Sequence, residues 1–496
     1  MKSIKKTAFL LFSLVILTAL LTVGVCADEL ELEYGEGTIL NYNTATIDFA
    51  SIQNYAVNQD ALSYALTQLR YSAAEINLYE RGYRMSVKEV GSFLLACRYA
   101  APDLFYMEDS YSYSYATVGD NVYLYSIIPQ YNLMGKALGL AKSDYNAKIN
   151  AIVEMAAELD TDLEKALFYH EYIVANYEYD LSYTNYDAYS MLNTKKGVCQ
   201  AYTLLYIELL NREGIDNTAV LSDGLNHVWN ALEIDGKWFL ADLTWDDPTY
   251  DIPGRVFHNY FLRSMGAFGH LLSNGSRDWV VVDGRTLNYS TAYDGAFWCS
   301  YEGWVHPYES KVYYKNFDGS KTYVYNRTLS DLTSENRMFN VASDLYVSGG
   351  YYPDALGFCG LGDKLYYAMT KIHGKAFVYE YDLDDGAAKN VYTYSHVCSD
   401  ANCSVGILSL MPDGEVIRFH EADITNPYNG TVGYFEIYVP MDVDGDRSVT
   451  NADITVYVRY LSGWRNVTFV SVSADVDKNG KCNNRDLIAV IRYLNS

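Results

Sequence analysis

The sequence predicts a multidomain α+β chain. An α/β region leads into a mixed core of helices and an antiparallel sheet, a β-rich stretch follows, and a small all-α module closes the chain. Three observations carry this reading. Apolar residues recur at helical spacing in the first half, as through Leu163, Ala166, Leu167, His170 and Ile173. After residue 283 the pattern changes to Tyr-rich alternation broken by Gly-containing turns. At the end, the pattern of Asp453–Leu461 is matched by Asp486–Leu494, at an offset of 33 residues that also holds for the acidic loops before them.

The bulk numbers bound the function. A chain of 496 residues has room for about three or four domains. Its formal charge of −25 sets it against nucleic acid and anionic membranes. It holds 50 Tyr against 9 Pro, which suits half-exposed strands and extended binding surfaces, because Tyr joins an apolar ring to a polar tip.

Residues 1–27 read as a signal peptide. Lys2, Lys5 and Lys6 form the basic region, Ala8 to Val25 is apolar, and Val25-Cys26-Ala27 offers a cleavage site. An uncleaved anchor is the alternative; Val25 before Cys26 argues against a lipoprotein site. No later stretch is long and apolar enough to span a bilayer. Secretion to an extracellular milieu is therefore expected. Seven cysteines remain after Cys26, an odd number without paired metal spacing. Cys398 and Cys403 are near enough to pair, and one cysteine must stay unpaired.

Residues 28–148 accompany the core. Helical patterns run through Ala61–Leu66 and Phe93–Cys97, with Cys97 as a buried small hydrophobe, and Tyr111–Tyr115 and Val122–Ile128 look like strands. Residues 149–275 begin with the amphipathic helix named above, on which His170 is a surface or packing residue. A second helix starts at Cys199 and runs to about Asn211. The hairpin that follows is the strongest local signal: Asn226–Ile234, the turn pair Asp235-Gly236, then Lys237–Trp245.

Cys199 follows Gly197-Val198 and opens its helix. A helix N-terminus favours thiolate, which is the nucleophilic form. Counting outward from the turn pairs Trp229 with Asp242 and His227 with Thr244. His227 and Asp242 then become diagonal neighbours, about 7–8 Å apart at the backbone and within side-chain reach. Asp242 would fix the imidazole and leave its other nitrogen to a thiolate. Trp229 and Trp238 fall on the same face as a shield against water.

These residues carry a family resemblance. Gly197-Val198-Cys199-Gln200-Ala201-Tyr202, His227-Val228-Trp229-Asn230, Asp235–Phe239 and Asp242–Pro248 resemble the bacterial transglutaminase-like domain, with support from Ile127–Tyr131 and His258–Leu262. The resemblance covers roughly 45–275. It implies a papain-like fold with Cys199 as nucleophile, His227 as base and Asp242 as orienter, in peptidase, deamidase or cross-linking chemistry on protein or peptide.

Residues 283–440 repeat a unit of strand, Gly turn and strand. Lys311–Lys315 with Tyr323–Tyr325 is echoed by Lys364–Ala368 with Phe377–Tyr379. A sandwich or an open repeat fits as well as propeller blades. This region is a candidate for gripping polysaccharide or a cell surface.

Residues 441–496 hold two acidic loops. The first offers Asp442, Asp444, Asp446, Ser448, Thr450 and Asp453; the second offers Asp475, Asp477, Asn479, Lys481 through its carbonyl, Asn483 and Asp486. Oxygens at this spacing suit a hard cation that takes six to eight of them, so two Ca2+ ions are expected. The sixth loop position is Gly480 in one and Arg447 in the other. The module resembles a type I dockerin. That implies docking onto a cohesin module of a scaffolding protein, in a cellulosome-like complex that degrades polysaccharide. Recognition residues of that family correspond here to Asn451-Ala452 and Asn484-Arg485, two different pairs.

The leading expectation is a secreted, scaffold-docked cysteine acyl-transfer enzyme. The alternative is a non-catalytic binding protein with a vestigial triad. A glycoside hydrolase ranks lowest, because no catalytic pair stands out among 62 acids.

Overall fold

In this computed structural model the described residues are 31–39, 56–247, 249–319, 321–341, 357–370, 375–395, 405–423, 426–437, 441–445, 449–465, 467, 469–477, 479 and 481–495. The expected signal peptide (1–27), Cys398, Cys403, Pro248, the loop residues Asp446, Arg447, Ser448 and Gly480, and residues 438–440 lie outside them. The chain divides into two compact units. One comprises Met1–Asp251, Arg255–Val312 and Arg327–Glu335; the other comprises Ile252–Gly254, Tyr313–Asn326 and Asn336–Ser496.

The first unit opens with strand β1 (Leu32–Thr38), helix α1 (Gln59–Arg70), β2 (Ile76–Asn77), α2 (Val90–Ala100), β3 (Met107–Val118) and β4 (Asn121–Tyr131). The strands form one antiparallel sheet in the order β1-β3-β4-β2. Cys97 on α2 is fully buried, as its apolar neighbours require. Two helices follow, α3 (Gly135–Met155) and α4 (Asp162–Asn176). A capping box fixes the start of α4: Thr161 accepts the Glu164 amide and Glu164 reaches back to the Thr161 amide. The expected amphipathic character of α4 is corrected. Buried residues occupy almost every position from Leu163 to Asn176, because the helix sits in the centre of the unit.

Next come β5 (Glu178–Tyr179), α5 (Ala188–Thr194), β6 (Lys196–Gly197), α6 (Cys199–Glu213), β7 (Asn217–Ser222), β8 (His227–Ile234) and β9 (Lys237–Ala241). Helix α6 packs on β8 and on α4. The β8–β9 turn has positive φ at both Asp235 (51°) and Gly236 (72°). That geometry matches the twist of a two-residue hairpin, and Gly and Asp adopt it at low cost. Register runs as expected from Ile234↔Lys237 to Asn230↔Ala241. The expected continuation to Trp245 is corrected. The strand stops at Ala241 and a short helix, α7 (Leu243–Asp246), begins, so His227 and Thr244 never pair. Asp242 causes the switch. Its Oδ1 accepts the amides of Thr244 (3.0 Å) and Trp245 (3.2 Å), and a side-chain cap competes with the ladder. Strand β10 (Val280–Val281) completes the sheet in the order β10-β7-β8-β9.

The β-rich stretch supplies β11 (His306–Tyr308), β12 (Lys311–Phe317), β13 (Thr322–Thr328) and β14 (Asp331–Asn340). It continues through β15 (Phe358–Leu361), β16 (Lys364–Thr370), β17 (Lys375–Asp382) and β18 (Ala388–Ser395). The last three strands are β19 (Val405–Asp413), β20 (Val416–Asp423) and β21 (Asn426–Glu436). Strands β15–β18 form one sheet in sequence order, and β19–β21 form another. Tyr residues pair across and along these strands, as Tyr367 does with Tyr379 at 5.5 Å, so many of the tyrosines serve as cross-strand packing.

The C-terminal segment carries helices α8 (Asn451–Leu461), α9 (Ser471–Ala474) and α10 (Asn484–Leu494). Its core is Val443, Tyr457, Ala474 and Val490, all fully buried. Tyr457 and Val490 are equivalent positions of the duplication, so the repeats bury matching faces against each other. Among the described residues no helix is long and apolar enough to cross a membrane.

Candidate active site

The strands before Cys199 hold the start of α6 in place. β6 pairs in parallel with β5, matching Tyr179 with Gly197. The Asp180 amide donates to the Gly197 carbonyl (2.9 Å), and the Val198 amide donates to Asn185 O (3.0 Å). Asp180 in turn accepts the amides of Ser182, Thr184 and Asn185, which hold its carboxyl well below the usual range, although burial opposes this. Gly197 is required by close approach. A Cβ there would lie 2.7 Å from Met191 Sδ and 2.8 Å from Ala201 Cβ. Cys199 is the first residue of α6 and is 5% exposed; Val198 provides no side-chain cap.

His227 opens β8 opposite Ser222. Its Nε2–H donates to Asp242 Oδ2 at 2.6 Å. The Cys199 sulfur acts on the same ring and favours its charged form. Because Nε2 is turned to Asp242, Nδ1 is the nitrogen left for the thiol. Burial disfavours charge on His227, but the Asp242 carboxylate and the Cys199 sulfur outweigh it and raise the imidazole to about 10. Burial likewise opposes charge on Asp242, and the imidazoles of His227 and His270 hold it well below the usual carboxylate range. The structure thus brings Cys199, His227 and Asp242 together, and places Asp242 by helix capping instead of by the strand register expected for it.

Other groups at the site were not foreseen. His270 is fully buried and its Nε2 lies 2.7 Å from the same Asp242 Oδ2 that bonds His227. Trp245 stacks over His227 (5.5 Å between centroids) and over His270 (4.0 Å), and is 43% exposed, so it is the ring that separates the imidazoles from solvent. The shield expected from Trp229 and Trp238 is corrected in part. Trp229 packs beside His227 at 5.7 Å, whereas Trp238 lies farther down the ladder opposite Glu233 and under Arg285. His270 sits in a loop 28 residues beyond Asp242 and no periodicity marks it.

The expectation for His170 is also corrected. It is fully buried in a network of four titratable groups. His170 Nε2 lies 3.0 Å from Asp246 Oδ2, and Glu171 bonds the Nε2 of His258. The outer atoms are tied as well: Asp246 Oδ1 accepts the Tyr260 amide, Glu171 Oε2 accepts the Val305 amide, and His258 Nδ1 faces Tyr301 O at 3.2 Å. Burial opposes charge on His170, but Asp246 and Glu171 raise it to about 9. Helix α7 therefore has a bonded carboxylate at each end, Asp242 before it and Asp246 at its close.

A cavity of about 610 Å³ lies on the flank of α6, walled by Gln200 and Leu204 with Arg98, Asp109 and Asp187. Cys199, which is turned to His227, is not in its wall.

In the C-terminal loops, carboxylate oxygens of Asp442, Asp444 and Asp453 converge within 4.8 Å of one another, as do those of Asp475, Asp477 and Asp486. Clustered hard oxygens of this kind fit a divalent cation of the calcium type. Asn479 stands beside Asp477 in the second loop. Thr450 and Asn483 stand at helix starts. Each caps the following helix, accepting the amide of Ala452 (3.0 Å) or Arg485 (2.9 Å). The Lys481 carbonyl accepts the Asn483 amide group at 2.9 Å.

Two family models match parts of the chain. Residues 150–243 match the transglutaminase-like superfamily, and residues 440–495 match the type I dockerin domain. The first match contains Cys199, His227 and Asp242. Solved structures similar to the chain include a TGase, 14% identical over 26% of this chain and 43% of that one, with a TM-score of 0.20. A candidate cysteine protease from Cytophaga hutchinsonii is 15% identical over 40% of this chain and 74% of that one, with a TM-score of 0.20. TolB from Acinetobacter baumannii is 13% identical over 48% of this chain and 58% of that one, with a TM-score of 0.17. The chain thus spans less than half the length of the TGase. No curated protein matches it.

Proposed function

We propose that this chain, with its transglutaminase-like core and its type I dockerin domain, is a secreted, scaffold-docked cysteine acyl-transfer enzyme acting on amide bonds of protein or peptide. The observation that carries the proposal is the line of contacts from Asp242 through His227 to Cys199 at the start of α6. In this reading Cys199 is the nucleophile. Its sulfur, stripped of a proton by His227, attacks the amide carbon to form a C–S bond. The C–N bond then breaks, the amine leaves with the proton returned by His227, and a thioester remains. Water or a second amine attacks the thioester, His227 takes the incoming proton, and the thiol is restored. Asp242 holds the ring in one tautomer and balances its charge throughout. Water as acceptor gives peptidase or deamidase action; an amine gives cross-linking.

The C-terminal segment is proposed to hold two Ca2+ ions, one against Asp442, Asp444 and Asp453 and one against Asp475, Asp477 and Asp486, which would neutralise the clustered carboxylates and order the loops. Its partner would be a cohesin module. Tyr460 and Tyr493, equivalent in the duplication, are 44% and 57% exposed and offer two similar contact points for it. The direct test is mass spectrometry of extracellular peptides and proteins exposed to the enzyme. Cleavage, a deamidation shift or cross-links that vanish in Cys199→Ala would support the proposal. No change in any substrate, together with an unreactive Cys199, would sink it and put a binding role of the β-rich region ahead.

A further inference from the structure

Asp242 is shared. Its Oδ2 receives two imidazoles, His227 at 2.6 Å and His270 at 2.7 Å, both through Nε2. The acyl-transfer reading uses one of them. His270 cannot be dismissed as filler of the core, because every part of it is fixed. Its ring lies 4.2 Å from Phe268 and 4.0 Å from Trp245, with Trp229 at 4.9 Å edge-on. Its Nδ1 faces the Phe268 carbonyl at 3.2 Å, and its own carbonyl accepts Trp279 Nε1–H at 3.1 Å. A carboxylate can only accept, so a ring nitrogen 2.7 Å from it must carry the proton. His270 therefore donates to Asp242 from a side that no strand or helix amide reaches.

The arrangement has a purpose that geometry defines. Oδ1 of Asp242 is held by the α7 amides. Oδ2 takes its bonds from the imidazoles, and the bond from His270 reinforces the placement in which Oδ2 meets His227. We infer that His270 is a positioning residue of the site, making a His-Asp-His chain in which His270 holds Asp242, Asp242 holds His227, and His227 faces Cys199. This rests on the acyl-transfer reading for its consequence in turnover, but not for its geometry.

Two substitutions separate hydrogen bonding from packing. His270→Phe keeps an aromatic ring between Trp245 and Phe268 and loses the donor; His270→Gln keeps an amide donor and loses the ring. Each is made in the full chain, and the rate of Cys199 alkylation by iodoacetamide is read by mass spectrometry beside the melting temperature. The expected result is a folded His270→Phe whose Cys199 reacts about tenfold more slowly or worse, by analogy with the loss on removing the partner behind a metal-ligating histidine. His270→Gln should recover most of the rate. Equal rates in wild type and His270→Phe would overturn the inference, as would a His270→Gln slower than His270→Phe, since only ring packing would then matter.

A second measurement stands even if both variants unfold. In 15N-histidine-labelled wild type, ring N–H signals bonded to carboxylate should lie far downfield for His170, His227, His258 and His270, and those of His227 and His270 should both move in Asp242→Asn. Movement of only one of these two would overturn the shared carboxylate. If wild-type Cys199 reacts no faster than a free thiol, the acyl-transfer reading fails while these two signals still decide the role of His270.

Discussion

Four hydrogen bonds meet on the carboxylate of Asp242, two from backbone amides and two from imidazoles, and that count sets what a substitution would do. Asparagine can keep the cap through its carbonyl but would turn an NH2 group toward two N–H donors. Asp242→Asn should therefore fold and lose turnover by about 10⁴, the loss known for an orienting aspartate in other triads. Circular dichroism and single-turnover thiol chemistry check both halves; a variant with near wild-type turnover would remove Asp242 from the proposed role. His227→Ala should abolish selective alkylation of Cys199, while Cys97 stays unreactive because burial raises its thiol strongly. The charge state of His227 also carries stability. Its folded value of about 10 lies above its ordinary 6.5, so the contribution is fully present below 6.5 and is lost as pH rises through about 10. Melting temperature followed from pH 6 to about 10 should fall less in His227→Gln than in wild type.

At the scale of elements, α6 and α7 are the parts that aim the site. Gly197 stands where the strand gives way to α6, and its missing Cβ lets Met191 and Ala201 close over it. Gly197→Ala should cost about 1–3 kcal/mol by overpacking and should slow Cys199 alkylation by displacing the first turn. Urea unfolding with the same alkylation assay measures both. An unchanged midpoint would mean that the neighbours give way freely. The four-group network of His170, Glu171, Asp246 and His258 ties α4 to the far end of α7. His170→Ala leaves Asp246 buried without its partner and should cost about 3–5 kcal/mol. His170 rises from 6.5 to about 9, so its contribution is also full below 6.5 and fades as pH passes about 9. The hairpin end of this region was legible, because Asp-Gly sets register locally. The start of α7 was not, because a cap and a ladder compete for the same backbone and only their balance in the fold decides.

For the molecule as a whole, the C-terminal segment has its own small core around Val443, Tyr457, Ala474 and Val490. Its loops bring three carboxylates together twice. Without a cation these repel, so chelation should lower the helicity of residues 441–496 and Asp475→Ala should weaken calcium binding more than a change at an exposed residue such as Arg465→Ala. Circular dichroism of the full chain with and without chelator reads this; identical spectra would count against bound calcium. Truncation after residue 440 should leave the reactivity of Cys199 intact, since the contacts described for its site come from residues 170–305. A truncated chain that aggregates would show that the segment is integral.

What the sequence determined by itself is local. Ligand spacing within a twelve-residue loop, a cysteine at the first residue of a helix, and the register of a two-residue hairpin all follow from periods that a short window contains. They brought Cys199, His227 and Asp242 forward as candidates, Asp242 by a register that a helix cap replaces, and the acidic residues of both loops as candidate ligands. The tertiary structure alone decided the rest of the site. His270 reaches Asp242 from 28 residues away, Asp246 reaches His170 from 76, and Glu171 reaches His258 from 87. No period links such positions. They meet because burial leaves no water for these polar groups, and each buried charge must then find a partner wherever the chain returns.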